Sequence, residues 1–232
     1  PSAFEPDALI REARRQKRIP VADVPKICVL DPDGDIVRHL SSAGRTRPVP
    51  QWPCYHSRMV EADLDGRSVG IVDCAVGAPY AVLVAEQMFA LGCELLLSIT
   101  SSGQVTPLGP TPYFVLIDRA LRDEGTSHHY APPAEFAEAD ATLVPTAEHA
   151  LAAAGFRIHR GATWTTDAPF RETSAAIAVA RAKGILAVEM EAAELYAFAQ
   201  SRGVRVLCFA HVTNCMGQSD LDFEKGEAQG VT

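Results

Sequence analysis

Apolar positions along this chain follow two alternating patterns. Short runs rich in valine, isoleucine and leucine read as strands: ICVL (27–30), SVGIV (68–72), ELLLSIT (94–100), YFVLI (113–117), FRIHRGATW (156–164), ILAV (185–188) and VRVLCFAHV (204–212). Between them, apolar residues recur at three- and four-residue spacing. That spacing predicts helices over 7–18, Ala81–Leu91, Thr146–Ala154, Ser174–Lys183 and Met190–Ser201. Gly92, Gly155, Gly184 and Gly203 follow four of them, where a residue free to turn left-handed closes a helix. Strands alternating with helices of this length predict an α/β fold with a mainly parallel sheet. Two proline-bearing stretches, 41–53 and 104–112 (QVTPLGPTP), interrupt the pattern as linkers without marking a domain boundary. The expectation is one α/β domain over 27–232, preceded by a helical extension over 1–26. No amphipathic helix precedes the final Gly-Val-Thr, so further sequence is expected after Thr232.

Composition narrows the class. The chain has 232 residues, 47% hydrophobic and 22% charged, as globular proteins do. A chain of this length buries about 70% of its unfolded surface and folds without a disulfide or metal. The longest apolar run, Ala90–Ile99, is broken by Gly92, Glu94 and Ser98, so no membrane span is expected. The opening stretch lacks the apolar core of a secretory signal. Cys28, Cys54, Cys74, Cys93, Cys208 and Cys215 form no CxxC pair, which suits a reduced, cytoplasmic protein. The net charge is −8 and no basic cluster continues beyond Arg11–Arg18, so a nucleic-acid partner is not expected. A single local anion site is compatible with that charge.

Several motifs are absent from the sequence: the P-loop, GxGxxG after the first strand, GxSxG and HExxH. Neither Cys54/His56 nor His128/His129 recurs with partners at zinc spacing, so no metal is expected. Four segments carry chemistry, each at the carboxyl end of a strand, where α/β proteins bind ligands. CAVGAPYA (74–81) is a turn whose glycine lets a ligand approach backbone N–H groups at a helix start, or an ordinary strand-to-helix turn. SITSSGQV (98–105) offers hydroxyls and a glycine for phosphate or a heterocycle, or a polar strand cap. TWTTDAPFRE (163–172) mixes an indole, hydroxyls, an aspartate, a phenylalanine and an arginine. That set suits a stacked base, or else core packing followed by a helix start. AVEMEAAELYAFA (187–199) places Glu191 at a helix N-terminus, where the dipole favours it, or where it can hold sugar hydroxyls over the apolar Met190.

With these segments in order, the chain resembles the nucleoside phosphorylase superfamily, the uridine and hexameric purine nucleoside phosphorylases with their hydrolase cousins. Val188-Glu189-Met190-Glu191-Ala192-Ala193 is similar to the family's ribose-binding motif. ALRDEGTSHHYAPP (120–133) resembles the uridine phosphorylase segment after the central strand. CAVGAPYA resembles its TGIGGPSA turn, TSSGQV its GTTGAIQ loop and TTDAPF its SSDTFY. The resemblance spans about 27–215. It implies a single three-layer α/β domain whose central mixed sheet forms a distorted barrel. It implies ribose held by Met190 and Glu191 in the Glu189-bearing motif. It implies a base site from Ser102, Gly103, Trp164, Thr165, Thr166, Phe170 and Arg171. It also implies homo-oligomers built from dimers, in some members hexamers, acting on a nucleoside and inorganic phosphate without an organic cofactor.

Departures from the family pattern bear on mechanism. The central-strand arginine falls at Ser98, and the neighbour-subunit arginine near Tyr55. The first-strand loop reads Asp31-Pro32-Asp33-Gly34-Asp35, with Arg38 the arginine available to a shifted loop. Phosphate would then rest on Ser101 and on backbone amides near Gly77 and Gly103, with Arg38. Losing charge-assisted arginine contacts weakens such a site. Where purine enzymes carry an acid after the last strand, this chain has Asn214, which hydrogen-bonds a base but delivers no proton; Asp220 and Asp222 are acids nearby in sequence. The sequence therefore supports a phosphorylase in which Glu191 and Met190 position ribose while Asn214 and Arg171 address the base. A nucleoside hydrolase of the same fold and a non-catalytic nucleoside-binding relative are the alternatives.

Overall fold

The computed structural model describes residues 2–215. The N-terminal extension forms helix α1 (Pro6–Lys17), with Pro6 in its first turn, Asp7 early and Arg14, Arg15 and Lys17 late, the order the helix dipole favours. It is docked on the domain. Ile10 joins the main core cluster, and the Lys17 ammonium donates to the carbonyls of Pro53 and Cys54 at 2.7 and 2.5 Å.

The remaining elements follow as β1 (Ile27–Asp31), α2 (Asp35–Ser42), β2 (Thr46–Pro48), β3 (Val60–Leu64), β4 (Arg67–Asp73), α3 (Ala78–Ala90), β5 (Leu95–Gln104), β6 (Tyr113–Asp123), β7 (Phe136–Glu138), α4 (Leu143–Ala153), β8 (His159–Thr166), α5 (Ser174–Ala182), β9 (Ile185–Glu189), α6 (Ala192–Arg202) and β10 (Val206–Asn214). One sheet contains all the described strands. Its open wing runs β2-β3-β4-β1-β5, and β5, β9, β8, β6 and β10 then close into a five-stranded barrel.

The sheet is mixed and closes into a barrel, as the family resemblance implied; the mainly parallel sheet expected from the alternation of strands and helices is corrected. The pairs β1–β4, β1–β5, β10–β5, β6–β8 and β8–β9 are parallel. The pairs β2–β3, β3–β4, β5–β9, β6–β7 and β6–β10 are antiparallel. Strand length causes this. β5 runs for 10 residues, pairs with β1 only over Leu95–Ser98, then bends so that Gly103 and Gln104 meet β9 in the opposite sense. β6 runs for 11 residues, six beyond its apolar run, because Arg119–Asp123 is held by β8. Closure of strands this long requires them to tilt and stagger, and register shifts at Ile117/Arg119 and Val212/Asn214 supply the stagger.

The stretch read as a linker over 41–53 contains β2, and β3 follows it. Neither shows strong alternation, since TRP and VEADL carry a proline and acids. They are strands because β4 templates β3 and β3 templates β2 at the sheet edge.

Helix α6 is the centre of the packing. Ala192 through Phe198 are all buried, Glu194 included. Its alanines allow close approach to α3, and Tyr196 is fully enclosed. The Tyr196 hydroxyl donates to the Ile117 carbonyl at 2.6 Å and accepts the Cys208 amide at 3.0 Å, pinning β6 and β10 where the barrel closes. Among the described residues no helix is long and apolar enough to cross a membrane. Removing this hydroxyl strands two buried backbone groups. Tyr196→Phe is therefore expected to lower stability by about 1–3 kcal/mol, read as an earlier midpoint in urea unfolding with an unchanged slope.

Candidate active site

Parallel β1, β4 and β5 deliver their carboxyl ends to one edge of the sheet, and the β9–α6 junction meets them there. The loop after β1 and the turn after β4 are stitched together by the Cys74 amide, which donates to the Asp31 carbonyl at 3.0 Å. The approach is close, and the backbone at position 34 favours glycine. Its φ is 74°, and an added Cβ would lie 3.2 Å from Cys74 Sγ. Gly77, at φ 87°, turns the chain into α3 and leaves its amide pointing into the site.

That amide donates to Glu191 Oε1 at 2.8 Å, and the Thr100 hydroxyl donates to Glu191 Oε2 at 2.8 Å. Glu191 is only 1% exposed. Burial, reinforced by the neighbouring Glu189 charge, pushes its carboxyl up to about 8. Glu189 has a different task. Its Oε2 accepts the Glu191 and Ala192 amides at 2.7 Å each, capping α6, while Oε1 accepts the hydroxyls of Thr163 at 3.0 Å and Thr165 at 2.5 Å. Thr165 Oγ1 in turn accepts the Ala193 amide at 3.0 Å. One turn on, Glu194 is fully buried with neither carboxyl oxygen hydrogen-bonded among the described residues, and burial drives its carboxyl far above the usual range.

The groups expected to hold phosphate are engaged by acids. The Ser101 amide donates to Asp33 Oδ2 at 2.7 Å, and the Ser101 and Thr213 hydroxyls share a bond of 3.0 Å. The Gly77 amide is taken by Glu191. Arg38, exposed on α2, pairs with Asp35 at 2.6 Å. Gly103 sits in the barrel, paired with Val188 of β9. Ser98, where the resemblance implies an arginine in other members, is 1% exposed and its hydroxyl has no partner among the described residues. A cavity of about 290 Å³ lies along this edge, lined by Asp31, Asp33, Asp35, Thr100, Ser101 and His211 among others. Burial raises Asp31 in it to about 6. A cleft of about 660 Å³ reaches the same turn at Asp73 and Cys74.

The groups expected at the base divide in three. Asn214 lies at the end of β10, its amide donating to the Ser102 carbonyl at 3.4 Å; Met190, expected under the ribose rather than at the base, is half-buried between the two glutamates. Trp164 and Thr165 face inward. The indole is 5% exposed with Nε1 on Asp123 Oδ2 at 2.9 Å, which leaves its ring no open face for a base. Thr166 Oγ1 accepts the Ala168 amide at 3.2 Å, and Ser102 is buried, its hydroxyl on the Thr100 carbonyl. Phe170 is fully exposed on the short helical turn Pro169–Arg171, with Arg171 exposed beside it. The structure thus brings Glu191, Gly77, Ser101 and Asn214 to one edge and leaves Phe170 and Arg171 on the surface. Thr100 and Thr213 join the site without having been singled out, and Asp33, named only as part of the altered first loop, joins them. Strand alternation along SITSS places Ser98, Thr100 and Ser102 on one face, a signal that could have found Thr100. Among the described residues no three His, Cys, Asp or Glu side chains are grouped to hold a metal. Asp220 and Asp222 lie outside the described residues.

Comparison with known proteins agrees with this frame. A guanosine phosphorylase of Halorubrum lacusprofundi is 28% identical over 152 residues, covering 64% of this chain and 61% of the relative. A uridine phosphorylase of Salmonella typhimurium is 25% identical over 158 residues, covering 62% of each chain. These alignments therefore span about three-fifths of the length of the two relatives. A uridine phosphorylase of Thermococcus kodakarensis is 25% identical over 215 residues, covering 80% of this chain and 78% of that one. The crystal structure of uridine phosphorylase from Vibrio fischeri ES114 superposes with a TM-score of 0.71 at 20% identity, covering 82% of this chain and 81% of that one, and shows the shared fold. The phosphorylase superfamily's sequence model matches residues 26–231, so the chain belongs to that superfamily.

Proposed function

We propose that this protein breaks the N-glycosidic bond of a nucleoside and transfers the pentose to phosphate. The observation that carries the reading is Glu191, a buried carboxylate presented at a strand–helix junction, each oxygen holding one donor and keeping a lone pair. Two adjacent sugar hydroxyls match those lone pairs. The carboxylate is enclosed, so the sugar reaches it by displacing one of its present donors or the side chains covering it. Two O–H donors stabilise the ionised form that burial disfavours, so sugar binding lowers the Glu191 pKa and releases its proton. Held there, the pentose has its anomeric carbon near carboxylates, and their field favours the positive charge that develops as the base departs. The half-buried Met190 supplies an apolar surface under the ring. The Asn214 amide serves the base edge. We place the protein in the cytoplasm and read it as a homo-oligomer of dimers.

A second reading, with water as the acceptor, is favoured by a specific observation: an aspartate occupies the Ser101 amide. A nucleoside panel assayed with and without phosphate separates the two. Ribose 1-phosphate formed only with phosphate supports transfer to phosphate, and free ribose formed regardless of phosphate supports water.

Glu191→Gln keeps the size of the side chain and is expected to lower turnover by about 10²-fold or more with unchanged circular dichroism. Near-normal turnover would end the sugar-holding role. Stability should also depend on pH through this group. Its folded-state pKa is raised from the ordinary 4.5 to about 8, so the native chain keeps a proton that the unfolded chain releases. The stability it contributes is complete below about 4.5 and is lost as pH rises through about 8. Urea unfolding between pH 5 and pH 8 should show wild-type stability falling with pH and Glu191→Gln falling less steeply. Sedimentation at micromolar concentration is expected to show an assembly larger than a 24.9 kDa monomer.

A further inference from the structure

Phosphate is the acceptor in the proposed function, and the inference here rests on that reading. An anion site needs N–H and O–H donors turned toward one point with positive charge close by. At the end of β5 the donors are the Ser101 amide and the linked hydroxyls of Ser101 and Thr213. The amide is already bonded to Asp33 Oδ2 at 2.7 Å, a length typical of a charge-assisted bond. Asp33 is only partly buried, and it lines the cavity of about 290 Å³ with Ser101, so it borders on space large enough for a tetrahedral oxyanion. Asp31 and Asp35 line the same cavity. The loop's cation, Arg38, reaches Asp35 Oδ1 at 2.6 Å and the Asp33 carbonyl at 3.5 Å.

We propose that Asp33 selects the acceptor: its carboxylate stands on the Ser101 amide where the acceptor anion would stand, so phosphate binds only by displacing it. A tethered group competes at an effective concentration in the millimolar range or above, so free phosphate must exceed that to win the amide. Once displaced, the carboxylate stays on the same short loop, and like charges a few ångströms apart raise the cost further. Phosphate affinity is therefore weak by construction, and a neutral acceptor is spared the penalty. Asp33 is a specificity-determining residue; it need not touch the sugar.

The test is calorimetric titration of inorganic phosphate, without nucleoside, into the wild-type protein, Asp33→Ser and Asp33→Asn. Serine removes the competing carboxylate. Asparagine keeps an oxygen for the Ser101 amide but carries no charge. Wild-type binding is expected in the millimolar range or weaker, tightening at least tenfold in Asp33→Ser and by a smaller factor in Asp33→Asn. Micromolar binding by the wild type, or no tightening in either variant, overturns the assignment. Should Asp33→Ser fail to fold by thermal melting, the asparagine variant decides alone. The same three proteins are then assayed on the nucleoside panel. Absence of cleavage in all three would overturn the proposed function, while the titration still decides the role of Asp33.

Discussion

The carboxylate of Glu191 joins parts of the chain that are far apart in sequence. Its two oxygens take an amide 114 residues away at Gly77 and a hydroxyl 91 residues away at Thr100. The β4 turn, the end of β5 and the start of α6 are thereby drawn to one point. A carboxylate buried this deeply is costly unless each oxygen is hydrogen-bonded. The surrounding architecture meets that requirement. Gly77 adopts a backbone that turns its amide inward, β5 alternation turns Thr100 inward, and Glu189 caps α6 so that residue 191 sits at the junction. Loss of any one of these would leave charge or donors without partners in the interior.

Glu189 and Glu191 show how one motif carries two tasks. Both are buried glutamates, two residues apart. Glu189 is saturated by two hydroxyls and two amides, which makes it a fixed part of the frame. Glu191 has two donors and spare lone pairs, which leaves it able to accept a ligand. Burial raises both, the Glu189 charge adds to the rise at Glu191, and Glu194 one turn further on is raised by burial and by the charges of both. The interior near α6 is thus acidic, so a ligand bringing hydroxyl donors gains more there than an anion does, because neighbouring carboxylates repel a second negative charge. Asp33 extends the same bias to the edge of the sheet, where it holds the Ser101 amide that an incoming anion would need.

Much of the fold was legible because the strands of the barrel and the central helices are marked by their own side chains. ICVL, SVGIV and ILAV read as strands from their β-branched apolar content, and the alanine-rich run after Glu191 reads as a helix from its spacing. The edge strands were not legible. TRP and VEADL pair because a neighbouring strand offers unpaired backbone groups, and that offer is not written in their composition. The mixed sense of the sheet was also hidden from periodicity, since a strand of 10 residues reads the same whether one neighbour serves its whole length or two share it.

The site divides along the same line. Sequence alone determined that Glu191 stands at a strand–helix junction and that Gly77 opens a helix, because each depends on local order. Only the tertiary structure decided which donors face which acceptors. It turned the Trp164 indole inward onto Asp123, left Phe170 in solvent, and set Asp33 on the Ser101 amide across 68 residues of sequence. Hydrogen bonds of that reach depend on how β1, β5 and β8 are laid side by side, and the hydrophobic pattern that fixes a strand says nothing about which loop will close over its end.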